Sequence, residues 1–427
     1  MTSRRPRRRA AKAAPQILEV AVQSVGAQGD GVAPHDGGQV FVPLTLPGER
    51  VRVEVTRKTG DGLHARPLEI LEAAPGRVPP VCRHFGDCGG CSLQHMASDS
   101  LANWKRERVR TALSQRGLGE VPVAPTLSVP PGTRRRAVLA YRVTARGAVV
   151  GFNARGDARI VDQWECPLLD PALSRLAGPF RDLLASAGLP GASGDIWLTR
   201  LDSGVDALID LPAAPDLKML ERLTAFGRVQ DLSRLSWRHG GIAVPVAEYR
   251  PSRLRIGDFD LSPPPGIFLQ PSREGEAALA ERVVAAVGGA APVADLFCGV
   301  GTFALRLTGN GRVYGADGDG RLIDTLRRTG QVETETRDLF RRPLAADELK
   351  PFAAVVFDPP RAGAKAQAET LAEAGPPVVA AVSCNPATFA RDARILVDGG
   401  YALADVNPVD QFPWSAHVEL TARFVRP

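Results

Sequence analysis

Asp295-Leu296-Phe297-Cys298-Gly299-Val300-Gly301-Thr302 decides the fold of the last third of the chain. An apolar run precedes it and a helical pattern succeeds it, so its glycines fall in a tight strand-to-helix turn where a ligand must approach the backbone closely. The Gly-x-Gly pair is a weak signal alone: any such turn can use it, and the third glycine of the dinucleotide fingerprint is missing. The downstream pattern strengthens it. Strands are expected near 292–297, 312–317, 332–338, 353–358, 378–383, 401–406 and 418–425, with helices between most of them. The final two have no convincing helix between them, so they should close a doubly wound, Rossmann-like sheet as an antiparallel pair.

Asp317, Asp338 and Asp358 end the second, third and fourth of these strands, at the edge where open α/β sheets hold ligands. An acid in the position of Asp317 can accept both hydroxyls of an adenosine ribose. Acids at several strand ends favour a nucleoside with a cationic sulfonium, S-adenosylmethionine, over a phosphate-rich cofactor such as NAD. Helix or turn capping is the ordinary alternative for Asp317 and Asp338 taken singly; their joint placement weakens it.

Cys384 stands at the end of the fifth strand, in Val382-Ser383-Cys384-Asn385-Pro386, downstream of Asp358-Pro359-Pro360-Arg361. A thiol beside a methyl-donor pocket suits attack on a pyrimidine. Uracil C5 is a poor nucleophile, but a thiolate added at C6 makes C5 enolate-like and able to take a methyl group. The adduct must then lose its C5 proton, which requires a base. Glu419, in His417-Val418-Glu419, is the candidate, because insertion of the last strand next to the fifth brings it towards Cys384. Desolvation there would raise its pKa, as suits a proton acceptor. A buried structural thiol and a solvated carboxylate are the bland alternatives. Cys298 reads as packing.

Length and composition set the frame. With 427 residues, 44% of them hydrophobic, the chain can bury more than one core and should hold about three domains. No apolar run approaches the roughly 18 residues that span a bilayer, and Arg4 to Arg9 lead into no signal-peptide core. A soluble, cytoplasmic protein without membrane contact is expected, as a monomer. The net charge of +6 is supplied by Arg4, Arg5, Arg7, Arg8, Arg9 and Lys12, all ahead of the first acid, Glu19. A disordered basic tail over 1–15 could hold a polyanion loosely. Arg134-Arg135-Arg136 and Lys105-Arg106-Glu107-Arg108-Val109-Arg110 offer further positive surfaces, a solvated helix face being the alternative for the second.

Residues 16–74 read as short strands separated by Gly and Pro turns, a small five-stranded barrel. Gly29-Asp30-Gly31-Val32-Ala33, Phe41-Val42-Pro43 and Leu46-Pro47-Gly48-Glu49 resemble the TRAM domain, an OB-like barrel of RNA-modifying enzymes. A mixed central domain over 75–262 alternates like strands, with a helix near 98–116 and a helical interval near 173–187. Pro263-Pro264-Pro265-Gly266 separates it from the sheet domain over 263–427. The expected class is a multidomain α/β protein.

Only six Cys occur, so a disulfide framework is improbable and a reducing compartment fits. Cys82, Cys88 and Cys91 share one glycine-bearing loop, and Cys166 can supply a fourth thiolate. Four soft ligands could hold zinc or an iron–sulfur cluster, and spacing alone slightly favours zinc.

From about residue 17 to 427 the chain resembles the RNA uracil-5-methyltransferase family, which acts on transfer and ribosomal RNA. The resemblance implies that Gln270, in Phe268-Leu269-Gln270-Pro271, touches the methyl donor, and that Phe297, Thr302, Asp317, Asp338 and Asp358 line its pocket. Cys384 matches the nucleophile and Glu419 the base. Thr302 stands where the family often has Asn and Asp317 where Glu is more common; the stretch after Asp317 looks shortened. Cys-x5-Cys-Gly-Gly-Cys with a later Cys is similar to the 4Fe-4S site of the family's bacterial ribosomal-RNA members, which reverses the preference for zinc and implies a structural cluster. The Cys-x3-Cys-x2-Cys spacing of radical enzymes is absent. A uridine of ribosomal RNA, by analogy 23S, is the expected substrate, with transfer RNA as the alternative. Cytosine-5 methylation is disfavoured because Arg361, not Cys, comes after Pro359-Pro360. A non-catalytic RNA-binding or redox-sensing protein is the reading of another class, opposed by the presence of both Cys384 and Glu419.

Overall fold

The computed structural model describes residues 15–162 and 165–426. The basic tail from Arg4 to Lys12, and Trp164 beside the fourth cysteine, lie outside them. The chain divides into two compact units, one reaching Pro79 and including Ser92–Ala97, the other made of Pro80–Cys91 and the chain from Ser98.

In the first unit β1 (Ile17–Ala21), β2 (Ser24–Val25), β3 (Gly31–His35), β4 (Gly38–Val42), β5 (Arg50–Thr59) and β6 (Gly62–Glu72) form one sheet ordered β1-β5-β6-β4-β3-β2. β1 and β2 lie at opposite ends of that order, yet only Val22 and Gln23 separate them, so the sheet curls back on itself. Val20, Val22, Val40, Val42, Val51 and Val53 fill the inside, as alternation along half-buried strands requires. The bend at Val22-Gln23 splits the first run in two, which is why six strands stand among the described residues where five were expected.

The second unit opens with α1 (Ser98–Ser114) and β7 (Leu127–Ser128). A central sheet comes next, built from β8 (Arg136–Thr144), β9 (Gly147–Asn153), β10 (Ile160–Asp162), β11 (Ser193–Leu201), β12 (Gly204–Asp210), β13 (Leu232–His239) and β14 (Ile242–Glu248), in the order β10-β9-β8-β11-β12-β13-β14. α2 (Pro171–Ser174) and α3 (Ala177–Ser186) lie between β10 and β11; α4 (Leu217–Val229) joins β12 to β13. The sequence did not lead us to expect α4, but β12 and β13 are parallel and a parallel pair needs a crossover. Asp216 caps this helix by accepting the Met219 N–H at 2.8 Å. A short hairpin, β15 (Leu254–Ile256) and β16 (Phe259–Leu261), leads on.

The C-terminal layer comprises α5 (Arg273–Val287), β17 (Val293–Leu296), α6 (Ala304–Leu307), β18 (Val313–Asp317), α7 (Gly320–Arg327), β19 (Glu333–Thr336), α8 (Ala346–Leu349), β20 (Ala354–Phe357), α9 (Lys365–Ala374), β21 (Val378–Ser383), α10 (Pro386–Asp398), β22 (Ala402–Asp410) and β23 (Glu419–Val425). Its sheet runs β19-β18-β17-β20-β21-β23-β22-β7. β17 to β21 pair in parallel, whereas β23 is antiparallel to both β21 and β22. The strand order reverses between β17 and β20, a topological switch point whose strand ends form a natural ligand crevice. All of β17 is buried, as expected of a strand covered by helices on both faces.

One boundary differs from expectation. β7 pairs with β22, and Val109 and Leu113 of α1 pack with Phe389, Leu396 and Val406. Residues 98–128 thus build the C-terminal layer rather than the central sheet, because the apolar face of α1 finds its partner there. Among the described residues no helix is long and apolar enough to cross a membrane.

Candidate active site

The β17–α6 turn holds Gly299 at φ 55° and Gly301 at φ 91°, a left-handed backbone that glycine adopts most readily. A Cβ on Gly301 would stand 2.5 Å from Leu326, whereas one on Gly299 would meet nothing within 4 Å. Gly301 is therefore fixed by packing, and Gly299 faces open space. Phe297 also adopts a positive φ, 62°, which is strained for an aromatic residue. Its ring lies 5.4 Å from that of Phe340, which is 52% exposed. Phe340 escaped the sequence reading, although an aromatic two residues beyond Asp338 was a usable signal.

Asp317 accepts the N–H groups of Gly299 at 3.0 Å and Asp319 at 2.8 Å. Asp338 is exposed and accepts those of Phe340 and Arg341. Asp338 thus caps the turn after it, whereas Asp317 ties the end of β18 to the glycine turn and Asp319 caps α7; a carboxylate retains lone pairs for further donors. Thr302 lies in the same turn as Gly301, its carbonyl taken by Arg306. Asp295, which the sequence reading passed over, is buried within β17. One of its oxygens accepts the Ala304 N–H at 2.8 Å; the other has no partner among the described residues. Burial above all, then Asp358 and Asp317, pushes this carboxyl well above the usual range.

Cys384 and Glu419 meet because β23 runs antiparallel beside β21. Ser383 pairs with Leu420, and extending that register by one residue sets Cys384 opposite Glu419. Asn385 ends the strand by capping α10, accepting the Ala387 N–H at 3.2 Å, and Pro386 occupies the first helical turn, where its missing N–H costs nothing. The same helix anchors the preceding loop: Asn385 Nδ2 and Thr388 Oγ1 donate to the Arg361 carbonyl at 3.0 and 3.1 Å.

Asp358, Glu419 and two amides form a connected group. Gln270 Nε2 donates to Asp358 Oδ2 at 3.1 Å, and Gln411 Nε2 donates to Gln270 Oε1 at 2.7 Å. Gln411 also bonds the Glu419 carboxyl. Burial raises Glu419 most, Asp358 adds to this, and Gln411 partly offsets it. Asp358, partly exposed but ringed by protein, is raised by burial against the Gln270 bond. Cys384 is pushed up to about 12 by burial, then by Glu419 and Asp358, against Arg361. The resting thiol is therefore neutral.

His417 keeps an exposed surface, and crowding by protein, then Arg361, Arg108, Lys105 and Arg134, pushes it down. Arg136 stacks 4.4 Å from the Phe268 ring, and Phe268 is 62% exposed. The two positive runs need correction. Lys105 is buried, donating to Asp410 and to the Phe412 carbonyl, and buried Arg135 pairs with Glu276. These two are internal pins whose acid partners come from distant sequence, so neither is available to a phosphate backbone.

The four cysteines come from two segments. Cys88 is bridged to Ala154, and the neighbouring Gly89 N–H donates to the Asn153 carbonyl at 2.9 Å, holding the loop against the end of β9. Burial raises the Cys166 thiol, with further contributions from Cys82 and Cys88, while Arg134 feels both Cys166 and Cys91. The thiols are thus gathered within electrostatic reach of one another. Among the described residues, however, no three His, Cys, Asp or Glu side chains converge on a position for one metal ion.

A TRAM domain model matches residues 15–68, and a tRNA (Uracil-5-)-methyltransferase model matches residues 330–425. An uncharacterized RNA methyltransferase of Brucella suis is 44% identical over 413 residues, spanning 95% of this chain and 97% of that protein. The 23S rRNA (uracil(1939)-C(5))-methyltransferase of Shewanella denitrificans is 31% identical over 448 residues, 95% of each. The crystal structure of the Pyrococcus abyssi tRNA (uracil-54, C5)-methyltransferase, in complex with S-adenosyl-L-homocysteine, superposes with a TM-score of 0.76 at 25% identity, over 96% of this chain and 100% of that one. The chain carries a TRAM domain, belongs to the RNA uracil-5-methyltransferase family and is an enzyme.

Proposed function

We propose that the protein transfers a methyl group from S-adenosylmethionine to C5 of a specific uridine in RNA, 23S ribosomal RNA in the first instance, through a covalent Cys384–C6 adduct. The observation that carries this reading is the placement of Cys384 opposite Glu419, beside a carboxyl-rich crevice at the switch point of the sheet. The residues present suit the donor: Gly299 leaves open space at the backbone, and Asp317, Asp358 and the unpartnered Asp295 oxygen are acids that a bound cation would help to ionise. S-adenosylmethionine would supply an electrophilic methyl group on a cationic sulfur. Gln270, Phe297, Thr302, Asp317, Asp338 and Asp358 would hold it, with Phe340 flanking the adenine.

The target uridine must leave its stack to reach the thiol. The Cys384 proton passes to the Asp358 carboxylate as sulfur bonds to C6, and the C5–C6 electron pair shifts onto C5, which would displace the donor's sulfur from its methyl group and leave that sulfur a neutral thioether. Glu419 then removes the C5 proton, the double bond reforms, and the Cys384 sulfur departs as a thiolate that takes its proton back from Asp358. The raised Glu419 suits a general base near neutral pH. Neutral His417 and its surrounding arginines would meet the RNA backbone.

For the cysteines we propose a structural 4Fe-4S cluster on Cys82, Cys88, Cys91 and Cys166, which rests on the resemblance of their spacing and on the electrostatic influence of Cys82 and Cys88 on Cys166. It would brace the central region, and the curled sheet of residues 16–74 would serve as an OB-like RNA-binding module. Functionally we divide the chain at 74 and 262, with 98–128 lending α1 and β7 to the catalytic layer. Anaerobic purification followed by iron analysis tests the cluster; stoichiometric zinc without iron would refute it. Mapping 5-methyluridine in a deletion strain tests the substrate. Loss from ribosomal RNA supports this reading, whereas loss from transfer RNA would favour the second, which rests on the likeness to the archaeal tRNA enzyme. Capture of the protein on RNA bearing 5-fluorouridine tests the covalent step, and a competent substrate that yields no adduct would overturn it.

A further inference from the structure

The amides between Asp358 and Glu419 form a directed chain. Gln270 presents Nε2 to the Asp358 carboxylate, so its Oε1 is left to accept from Gln411. Gln411 keeps one amide hydrogen for Glu419, which pairs with Val409, two residues before Gln411, and whose ionised form Gln411 favours. Each amide is thus oriented by its neighbours. Gln411 is 2% exposed, and its Oε1 has no partner among the described residues.

That side chain lies against Gly275 in the first turn of α5. A Cβ there would stand 2.5 Å from Gln411 Oε1 and 2.7 Å from Gln411 Cβ. Gly275 is helical, with no positive φ to call for glycine, and helix interiors disfavour it. The room it leaves is filled by Gln411.

We infer that Gln411 is a positioning residue that ties the protonation of Glu419 to the charge on Asp358, with Gly275 making space for it. This deepens, and rests on, the reading of Glu419 as the proton acceptor. The titratable groups facing Glu419 are Asp358 after β20 and Cys384 after β21, with Arg361 acting on Cys384. From α5 come Gly275 and Ser272, while Glu276 is engaged by Arg135 and Arg306. Gln411 is the donor that favours the ionised base, so its loss should make Glu419 harder to ionise.

Single-turnover methylation by Gln411→Leu, tracked across pH, tests this. The acid limb should move up by about one pH unit, so that the rate falls about tenfold below the limb and recovers to within about twofold above it. Capture on 5-fluorouridine RNA should be unchanged, because fluorine at C5 leaves no proton for Glu419 to remove. Normal capture with an unmoved limb overturns the inference and leaves the Glu419 reading standing. Full activity in Glu419→Gln would remove that reading first. Gly275→Ala should shift the limb in the same direction with Gln411 present, and have little further effect in a Gln411→Gly background, which removes both the Oε1 and the Cβ that the new methyl group would meet. Additive effects would overturn the inference even if Gln411→Leu failed to fold.

Discussion

The central sheet and the crevice of the C-terminal sheet both bury carboxylates, but those of the crevice are neutralised differently. Asp206 on β12 receives both nitrogens of Arg234, at 2.8 and 3.0 Å, and Asp210 receives Arg238 at 2.6 and 2.8 Å. Asp295, Asp358 and Glu419 have backbone or side-chain amides instead, with no ion pair described. A buried acid with its own arginine is electrically complete and serves the fold. Burial raises Asp206 as well, so the difference is the partner: an acid left with amides has no counter-charge and stays open to a proton or a cation.

The comparison can be broken most sharply at the thiol. Cys384→Ala should reduce methylation by at least about 10⁴-fold, to background, and abolish 5-fluorouridine capture; this is the scale of removing a covalent nucleophile. Glu419→Gln should slow product formation about 10²–10⁴-fold while leaving capture intact. The same change should raise the melting temperature above neutral pH. Because folding raises the Glu419 pKa, its contribution is fully present below the unfolded value and is lost as pH rises through the folded one. The gap between variant and parent should therefore widen with pH. A destabilised Glu419→Gln at pH 8 would sink the distinction.

Smaller effects belong to the paired acids. Asp206→Asn leaves Arg234 buried without its counter-charge and should cost about 3–5 kcal/mol in urea unfolding, with no change in the shape of the pH–rate profile. Asp216→Ala removes the α4 cap and should cost about 1 kcal/mol, measured in the same way, with turnover unaltered at temperatures where the protein is folded.

Much of the C-terminal layer could be read in advance, because its signals are local. The glycine turn, the acids at successive strand ends and the missing helix before the last strand each occupy a few adjacent residues. That missing helix also made the approach of Glu419 to Cys384 legible. What escaped reading depends on distant partners. Lys105 and Arg135 sit in positive runs that look solvated, yet their acids, Asp410 and Glu276, lie 305 and 141 residues away. Asp295 hides inside an apolar strand, and Gln411 carries no charge to draw notice. The crossover helix α4 is fixed by the parallel pairing of its flanking strands, which no local pattern reveals.

The insertion of β23 between β21 and β22 bears on how the molecule is born. Synthesis delivers Glu419 only after the thiol, the glycine turn and the amide of Gln270 have emerged, and such a late, long-range pairing is slow to form. Until it forms, the Cys384 end of β21 lacks its antiparallel neighbour. The pairing that sets Glu419 opposite Cys384 is therefore completed among the closing acts of folding.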